Sequence, residues 1–176
     1  MRKITFGCAN SLDNFIARRD GAVDWLMWSD EAAAVMKDFW QKIDTILLGR
    51  KTYEIGLKHS KGQKNPYSNI KTYVFSRTLK QAEGAEIVSE NAAEFVRQLK
   101  NQDGKEICLM GGGDFAKTLF EAGLIDEIGF NIHPVLLGEG LPLFLEMNRQ
   151  IDLELIESRQ FKNGCVYVLY RVKNNP

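Results

Sequence analysis

The chain has 176 residues, 44% apolar and 26% charged, which suits one folded domain and argues against disorder. Its 23 Lys and Arg balance 23 Asp and Glu, so an extended nucleic-acid surface, which needs a basic excess, is not expected. No segment approaches the roughly 20 apolar residues of a membrane span, and the opening residues lack the apolar stretch of a signal peptide, so no membrane partner and a cytoplasmic location are expected.

Residues 4–9 are short and apolar and predict a first strand, followed by a polar, turn-rich stretch over 10–21. Ser29 predicts an N-cap, with Asp30 and Glu31 in the first turn, where carboxylates suit the positive helix end. Val35, Met36, Phe39, Trp40 and Ile43 follow at helical spacing and carry that helix to about residue 43. A short buried strand over 45–48 ends at Gly49, where a short helix begins, and 59–69 is a polar loop. Strands are predicted over 71–75 and 85–88, then a helix capped by Asn91 through Leu99, then a buried strand over 106–110. That strand runs into Gly111, Gly112 and Gly113, a helix over 114–122 and a stop at Gly123. A longer strand over 127–135 precedes two alternating segments, 151–157 and 165–172, which read as an antiparallel pair. The pattern predicts one α/β domain over 1–176, a mixed, mainly parallel sheet with helices on both faces. Cys8, Cys108 and Cys165 sit in apolar runs without metal-ligand spacing and read as small buried hydrophobes in a reducing compartment; no metal site is expected.

Ligands in such sheets bind at the carboxyl ends of strands, which directs attention to three turns. At the first, Gly49 is followed by Arg50, Lys51 and Thr52 at a helix start, a place for an anion or else a tight turn with solvated cations. GxxxxGK[ST] is absent, so a nucleotide hydrolase gains no support. At the second, Ser76, Arg77 and Thr78 suit a phosphate monoester, or form an ordinary polar turn. At the third, Gly111, Gly112 and Gly113 precede Asp114 and Phe115, and three glycines permit unusual dihedrals and a close ligand. The run fits G-x-G-x-x-A, but a Rossmann domain is not expected, because the next acids, Asp126 and Glu127, open a strand instead of closing one. Three anion-competent turns on a neutral chain suit NADPH, with its pyrophosphate and 2′-phosphate. Trp25, Trp28, Phe39 and Trp40 could wall a flat heterocycle or belong to the core.

The order of segments resembles the dihydrofolate reductase-like superfamily, and within it the branch related to the reductase domain of the bifunctional riboflavin-biosynthesis deaminase-reductase. The resemblance is carried by Ser11-Leu12-Asp13-Asn14-Phe15-Ile16-Ala17 with Asp20-Gly21 and Asp24-Trp25-Leu26, by Leu48-Gly49-Arg50-Lys51-Thr52-Tyr53-Glu54, and by Val74-Phe75-Ser76-Arg77-Thr78-Leu79. Met110-Gly111-Gly112-Gly113 and His133-Pro134-Val135-Leu136-Leu137-Gly138-Glu139-Gly140 with Pro142-Leu143-Phe144 complete it. It implies NADPH across the strand ends, with Gly49, Arg50, Lys51 and Thr52 at phosphates and Ser76 and Arg77 at the 2′-phosphate. Gly111, Gly112, Gly113, Asp114 and Phe115 would line the pyrophosphate and nicotinamide, with a cis peptide at Gly111–Gly112. It implies hydride transfer to a small heteroaromatic substrate, a pyrimidine of the riboflavin pathway or dihydrofolate, with a non-catalytic NADPH- or ligand-binding module as the alternative, and a homodimer. The sequence departs from its relatives at the acid: the dihydrofolate reductase carboxylate falls near Ala33, the riboflavin reductase Glu is replaced by Met110, and SLDG reads Ser11-Leu12-Asp13-Asn14. Asp13, Asp30 and Glu31 are the remaining candidate acids.

Overall fold

The computed structural model describes residues 1–59, 69–111 and 113–173. In chain order the elements are β1 (Ile4–Ser11), β2 (Phe15–Ala17), α1 (Asp30–Lys42), β3 (Ile43–Gly49), α2 (Arg50–His59), β4 (Lys71–Phe75) and β5 (Glu86–Val88). They continue as α3 (Ala92–Lys100), β6 (Glu106–Met110), α4 (Gly113–Glu121), β7 (Glu127–His133), β8 (Leu141–Pro142), β9 (Leu153–Gln160) and β10 (Val166–Val172). Eight strands form one sheet in the order β5-β4-β3-β6-β1-β7-β10-β9. The pairs from β5 to β7 are parallel, and β10 and β9 close the sheet as the expected antiparallel pair.

Alternation along β1 divides the molecule. Ile4 and Phe6 face a core with Leu109 and Leu119, all fully buried. Phe6 is met edge-on by Phe120, Phe130 and Phe144 at ring-centroid distances of 5.8, 5.6 and 6.0 Å. The opposite face carries Thr5, Gly7 and Ala9 and lies under α1. That helix starts as its sequence dictates: Ser29 Oγ accepts the Ala32 N–H at 3.1 Å, Asp30 and Glu31 fill the first turn and Lys42 the last. Its contact with the sheet is loose. Ala32 is its one buried residue, and a cavity is left between the helix and the sheet.

Several boundaries differ from expectation for identifiable reasons. β1 continues through Asn10 and Ser11, which pair with Ile132 and His133. The 10–21 stretch contains β2, paired with β8, and Leu143 N–H bonds Asn14 C=O at 2.8 Å; strands this short carry no periodicity. Asn91 stands at the start of α3 at φ +52° and makes no side-chain cap bond, so the expected cap is not formed. The helix begins with Phe95 N–H bonding the Asn91 carbonyl. β3 follows α1 directly, starting at Ile43. β7 stops at His133, because Pro134 has no N–H to extend the ladder. Cys108 and Cys165 are buried and Cys8 partly so. The expected loop over 60–68, Gly112 and the Gly111–Gly112 peptide lie outside the described residues. No helix among the described residues is long and apolar enough to cross a membrane.

Candidate functional site

β3, β4 and β6 end side by side. The register sets Gly49 beside Phe75 and Leu48 beside Met110, so the turns after the three strands share one rim. They line a single cleft of about 380 Å³, walled by residues 49–52, 75–78 and 113–115. The first turns of α2 and α4 both contribute, and helix starts present backbone N–H groups with no intrahelical partner. The first turn of α2 holds no acid that would neutralise them.

One glycine holds this junction together. Gly111 sits at φ +56°, and a Cβ there would stand 2.9 Å from Thr52 Oγ1 and 3.1 Å from Thr52 Cγ2. Only glycine lets the end of β6 touch the first turn of α2 in that conformation.

The charges of the cleft are unequally engaged. Arg50 donates to both carboxylate oxygens of Glu54 at 2.9 Å, and Lys51 Nζ lies 4.0 Å from the Asp114 carboxylate. Arg77 is exposed and makes no hydrogen bond or ion pair among the described residues. Ser76 Oγ accepts the N–H groups of Thr78 and Leu79 at 3.2 and 2.9 Å, closing the turn that presents Arg77. Phe115 stacks on Phe75 at 4.1 Å and forms part of the cleft wall.

A second cavity, about 510 Å³, lies between α1 and the sheet. Gly7 and Ala9 of β1 and Gly129, Asn131 and His133 of β7 form its floor, with Gly7 opposite Gly129 and Ala9 opposite Asn131. Met36, Phe39 and Trp40 of α1 roof it, Met110 and Tyr167 close its sides, and Trp28, 83% exposed, stands at its mouth. The described lining residues include no Asp or Glu. Trp25 lies one layer behind, edge-on to His133 at 5.3 Å.

The polar groups of the floor form a short chain. Met27 N–H donates to His133 Nδ1 at 3.2 Å, and Cys165 Sγ lies 3.4 Å from the same nitrogen. Burial pushes His133 below the ordinary imidazole range, so the ring is neutral at pH 7. With Nδ1 accepting, the proton sits on Nε2, which faces the Asn131 carboxamide at 3.3 Å. Two donors cannot share that contact, so the carboxamide turns its oxygen to Nε2–H. Its NH2 then takes the buried end, which has no hydrogen-bond partner among the described residues. The Tyr167 hydroxyl makes no hydrogen bond among the described residues. Burial foremost, then Glu157, pushes this phenol up and keeps it protonated.

The structure therefore gathers Gly49, Arg50, Lys51, Thr52, Ser76, Arg77, Gly113, Asp114 and Phe115 on one cleft, with Gly111 buttressing it. It does not bring the three candidate acids into the cavity. Asp13 accepts from Ser11 Oγ at 2.6 Å and from the Leu137 and Gly138 N–H groups at 3.1 and 2.7 Å. The Ser11 bond, followed by those of the two amides, holds its carboxyl below the usual range. Asp13 thus anchors the turn after β7. Asp30 is exposed at the helix start, and Glu31 accepts the Lys162 N–H at 3.0 Å. Sequence reasoning missed Asn131 and Tyr167. The signal available was a polar residue at an inward-facing position of an otherwise apolar strand.

The RibD C-terminal domain family model matches residues 2–167. The chain belongs to that family. The chain is 36% identical to the uncharacterized Bacillus subtilis (strain 168) protein YyaP over 179 residues, covering 96% of this chain and 94% of YyaP. Among solved structures it is similar to a Shewanella sp. PV-4 protein assigned by name to riboflavin biosynthesis, with a TM-score of 0.82, 26% identity and coverage of 99% and 100%. It is also similar to the Enterococcus faecalis dihydrofolate reductase complexed with NADP(H), with a TM-score of 0.68, 19% identity and coverage of 98% and 97%. RibD C-terminal domains thus share the dihydrofolate reductase-like fold here, as the ordered motifs implied.

Proposed function

We propose that the chain is an NADPH-dependent reductase that transfers hydride to a small heteroaromatic substrate held in the cavity under α1. The observation that carries this reading is the convergence of three separate turns on one cleft, with Arg77 at its edge unengaged by any described residue. The donor set fits the coenzyme. The N–H groups at the starts of α2 and α4, with Lys51, would hold the pyrophosphate, and Arg77 with Ser76 would hold the 2′-phosphate. Arg50 is less available, because Glu54 already neutralises it. Gly111 would admit the close approach that a side chain denies. When bound, the dihydronicotinamide would supply hydride to a C=N or C=O carbon. The chain orients the substrate between the Gly7–Gly129 floor and the α1 roof and keeps bulk water from its buried face. No carboxylate lines the cavity among the described residues, so the proton would come from water at the rim, where Trp28, Met36 and Lys37 are exposed.

Family membership favours 5-amino-6-(5-phosphoribosylamino)uracil as the first substrate to try, with dihydrofolate second. The test is loss of NADPH absorbance at 340 nm in the presence of each, alongside calorimetry of NADPH alone. Binding with steady turnover supports the reductase. The lack of a carboxylate among the described lining residues favours one other reading, an NADPH-binding module, and tight binding without turnover on any substrate would establish it. Absence of NADPH binding at millimolar concentration removes both.

A further inference from the structure

We infer that the cavity under α1 selects a neutral, planar aromatic carbonyl ring, anchored by a hydrogen bond from Tyr167 Oη to its carbonyl oxygen, and rejects a ring that carries a carboxylate or phosphate directly into its interior, a charge on a flexible tail that stays at the rim being compatible with it. The inference deepens the reductase reading by naming its substrate class and rests on the cavity being the substrate chamber.

Shape comes first. Gly7 and Gly129 face each other in register on adjacent strands and both line the cavity. Neither carries a side chain, so the floor is bare backbone on which a ring can lie flat. The nearest atoms to a Cβ built on Gly129 include Leu169 Cδ1 and Tyr167 Oη, both at 3.5 Å. The phenol oxygen therefore stands at the margin of that flat patch. Met36, Phe39 and Trp40 supply an apolar roof, and a volume of about 510 Å³ falls in the range of small-molecule pockets.

Charge comes second. Lys37 is the single charged residue among the described lining residues, and it is exposed at the rim. A carboxylate or phosphate carried into the interior would leave water without meeting a cation, and an unpaired buried charge is strongly disfavoured.

The inventory of donors and acceptors decides the rest. Thr5 Oγ1 is directed to Glu127 Oε2 at 3.5 Å. Both nitrogens of His133 are engaged, Nδ1 by Met27 N–H and Nε2 by Asn131. What remains in the interior, among the described residues, is the Tyr167 hydroxyl, because the far end of the Asn131 carboxamide is closed off from solvent. A phenol donates one hydrogen bond and also accepts, and the protonated hydroxyl has its O–H to give. A ring carbonyl is the neutral acceptor that lies in the plane of an aromatic system.

The test uses chromone and chromone-2-carboxylate, which share a ring system and differ by one negative charge. Trp25, Trp28 and Trp40 surround the cavity, so binding to the intact protein is read as quenching of tryptophan fluorescence, with calorimetry as a second readout. Chromone is expected to quench saturably, and its carboxylate to bind at least ten-fold more weakly. Tyr167→Phe, which removes one oxygen and keeps the ring, is expected to weaken chromone five- to ten-fold with unchanged melting temperature and NADPH affinity. Equal or tighter binding of the carboxylate, an undiminished affinity in Tyr167→Phe, or no saturable chromone binding overturns the inference. NADPH binding is followed separately through its own fluorescence. Chromone binding with the stated charge and Tyr167 dependence, in a protein that does not bind NADPH, would sustain the cavity's selectivity and remove the reductase. The reverse pattern would remove the selectivity alone.

Discussion

Gly111→Ala tests whether the junction of β6 and α2 builds the cleft. At φ +56° an alanine adopts the left-handed region at a cost of about 1–2 kcal/mol relative to glycine. The new Cβ would also stand 2.9 Å from Thr52 Oγ1 and 3.1 Å from Cγ2. Contacts that short force the first turn of α2 to move, and overpacking of this kind costs about 1–3 kcal/mol. The sum is about 2–5 kcal/mol, a large share of the roughly 5–15 kcal/mol that holds a domain folded. For a chain of this length it lowers the melting temperature by about 4–20 °C, at 2–4 °C per kcal/mol. Thr52→Ala removes both offending atoms, so the double variant should recover the steric part and retain the backbone part. Urea unfolding of the four proteins measures the coupling, with the m-value as control for altered denatured states. Calorimetry with NADPH adds a second expectation: Gly111→Ala weakens the coenzyme, because the amides of α2 shift from the rim. Additive effects of the two substitutions, or a Gly111→Ala protein as stable as the parent, would refute the argument that this glycine is required by contact with Thr52.

Three further outcomes are expected. Arg77→Ala should raise the Kd for NADPH about ten-fold or more and leave that for NADH unchanged, since a hydrogen bond to a charged group contributes about 1.5–3 kcal/mol; calorimetry with both coenzymes reads the difference. Burial lowers the pKa of His133 below its unfolded value of about 6.5. The unfolded chain therefore binds more protons, and the contribution of His133 to stability is complete above about pH 6.5 and is lost as pH falls toward the folded value. Urea midpoints measured from pH 7.5 down to 5.5 should fall, and His133→Asn should flatten that fall; a midpoint rising on acidification through this residue contradicts the burial argument. Asp13→Ala should speed hydrogen exchange at the Leu137 and Gly138 amides, whose acceptor it removes, while exchange across α3 stays unchanged.

The legible parts of the fold were those with strong local signals. β4 and β6 have the predicted limits because short apolar runs end abruptly at polar or glycine residues. Ser29 followed by Asp30 and Glu31 marked the start of α1 to the residue. The gathering of three turns on one cleft was legible as well, since each pairs a strand end with glycine or with hydroxyl and basic residues. Asn91 was misread because a cap depends on backbone conformation, and its φ of +52° has no signature in the sequence. β2 and β8, three and two residues long, exist through each other, and no window of sequence contains both.

The candidate acids show why helix phase, more than proximity in sequence, decides a site. At 3.6 residues per turn, successive side chains are about 100° apart around the axis. Of the α1 residues that line the cavity, Ala32, Ala33, Phe39 and Trp40 lie within about 60° of Met36, and Val35 and Lys37 flank them at about 100° on either side. Asp30 and Glu31 fall about 120° and 140° from it, and Ala34 and Asp38, on the far side, are exposed. The cap fixes this phase: Ser29 holds the Ala32 N–H, and Ala32 is the residue buried against the sheet side. Turning the helix to bring Asp30 inward would release the cap and withdraw Ala32 from Phe161 and Cys165, the buried cluster it belongs to. The carboxylates thus serve the positive end of α1, and the wall they might have occupied is left to alanine and methionine. An apolar wall at that position leaves the Tyr167 hydroxyl unengaged among the described residues, so the selectivity inferred for the ligand traces in part to one serine at the start of a helix.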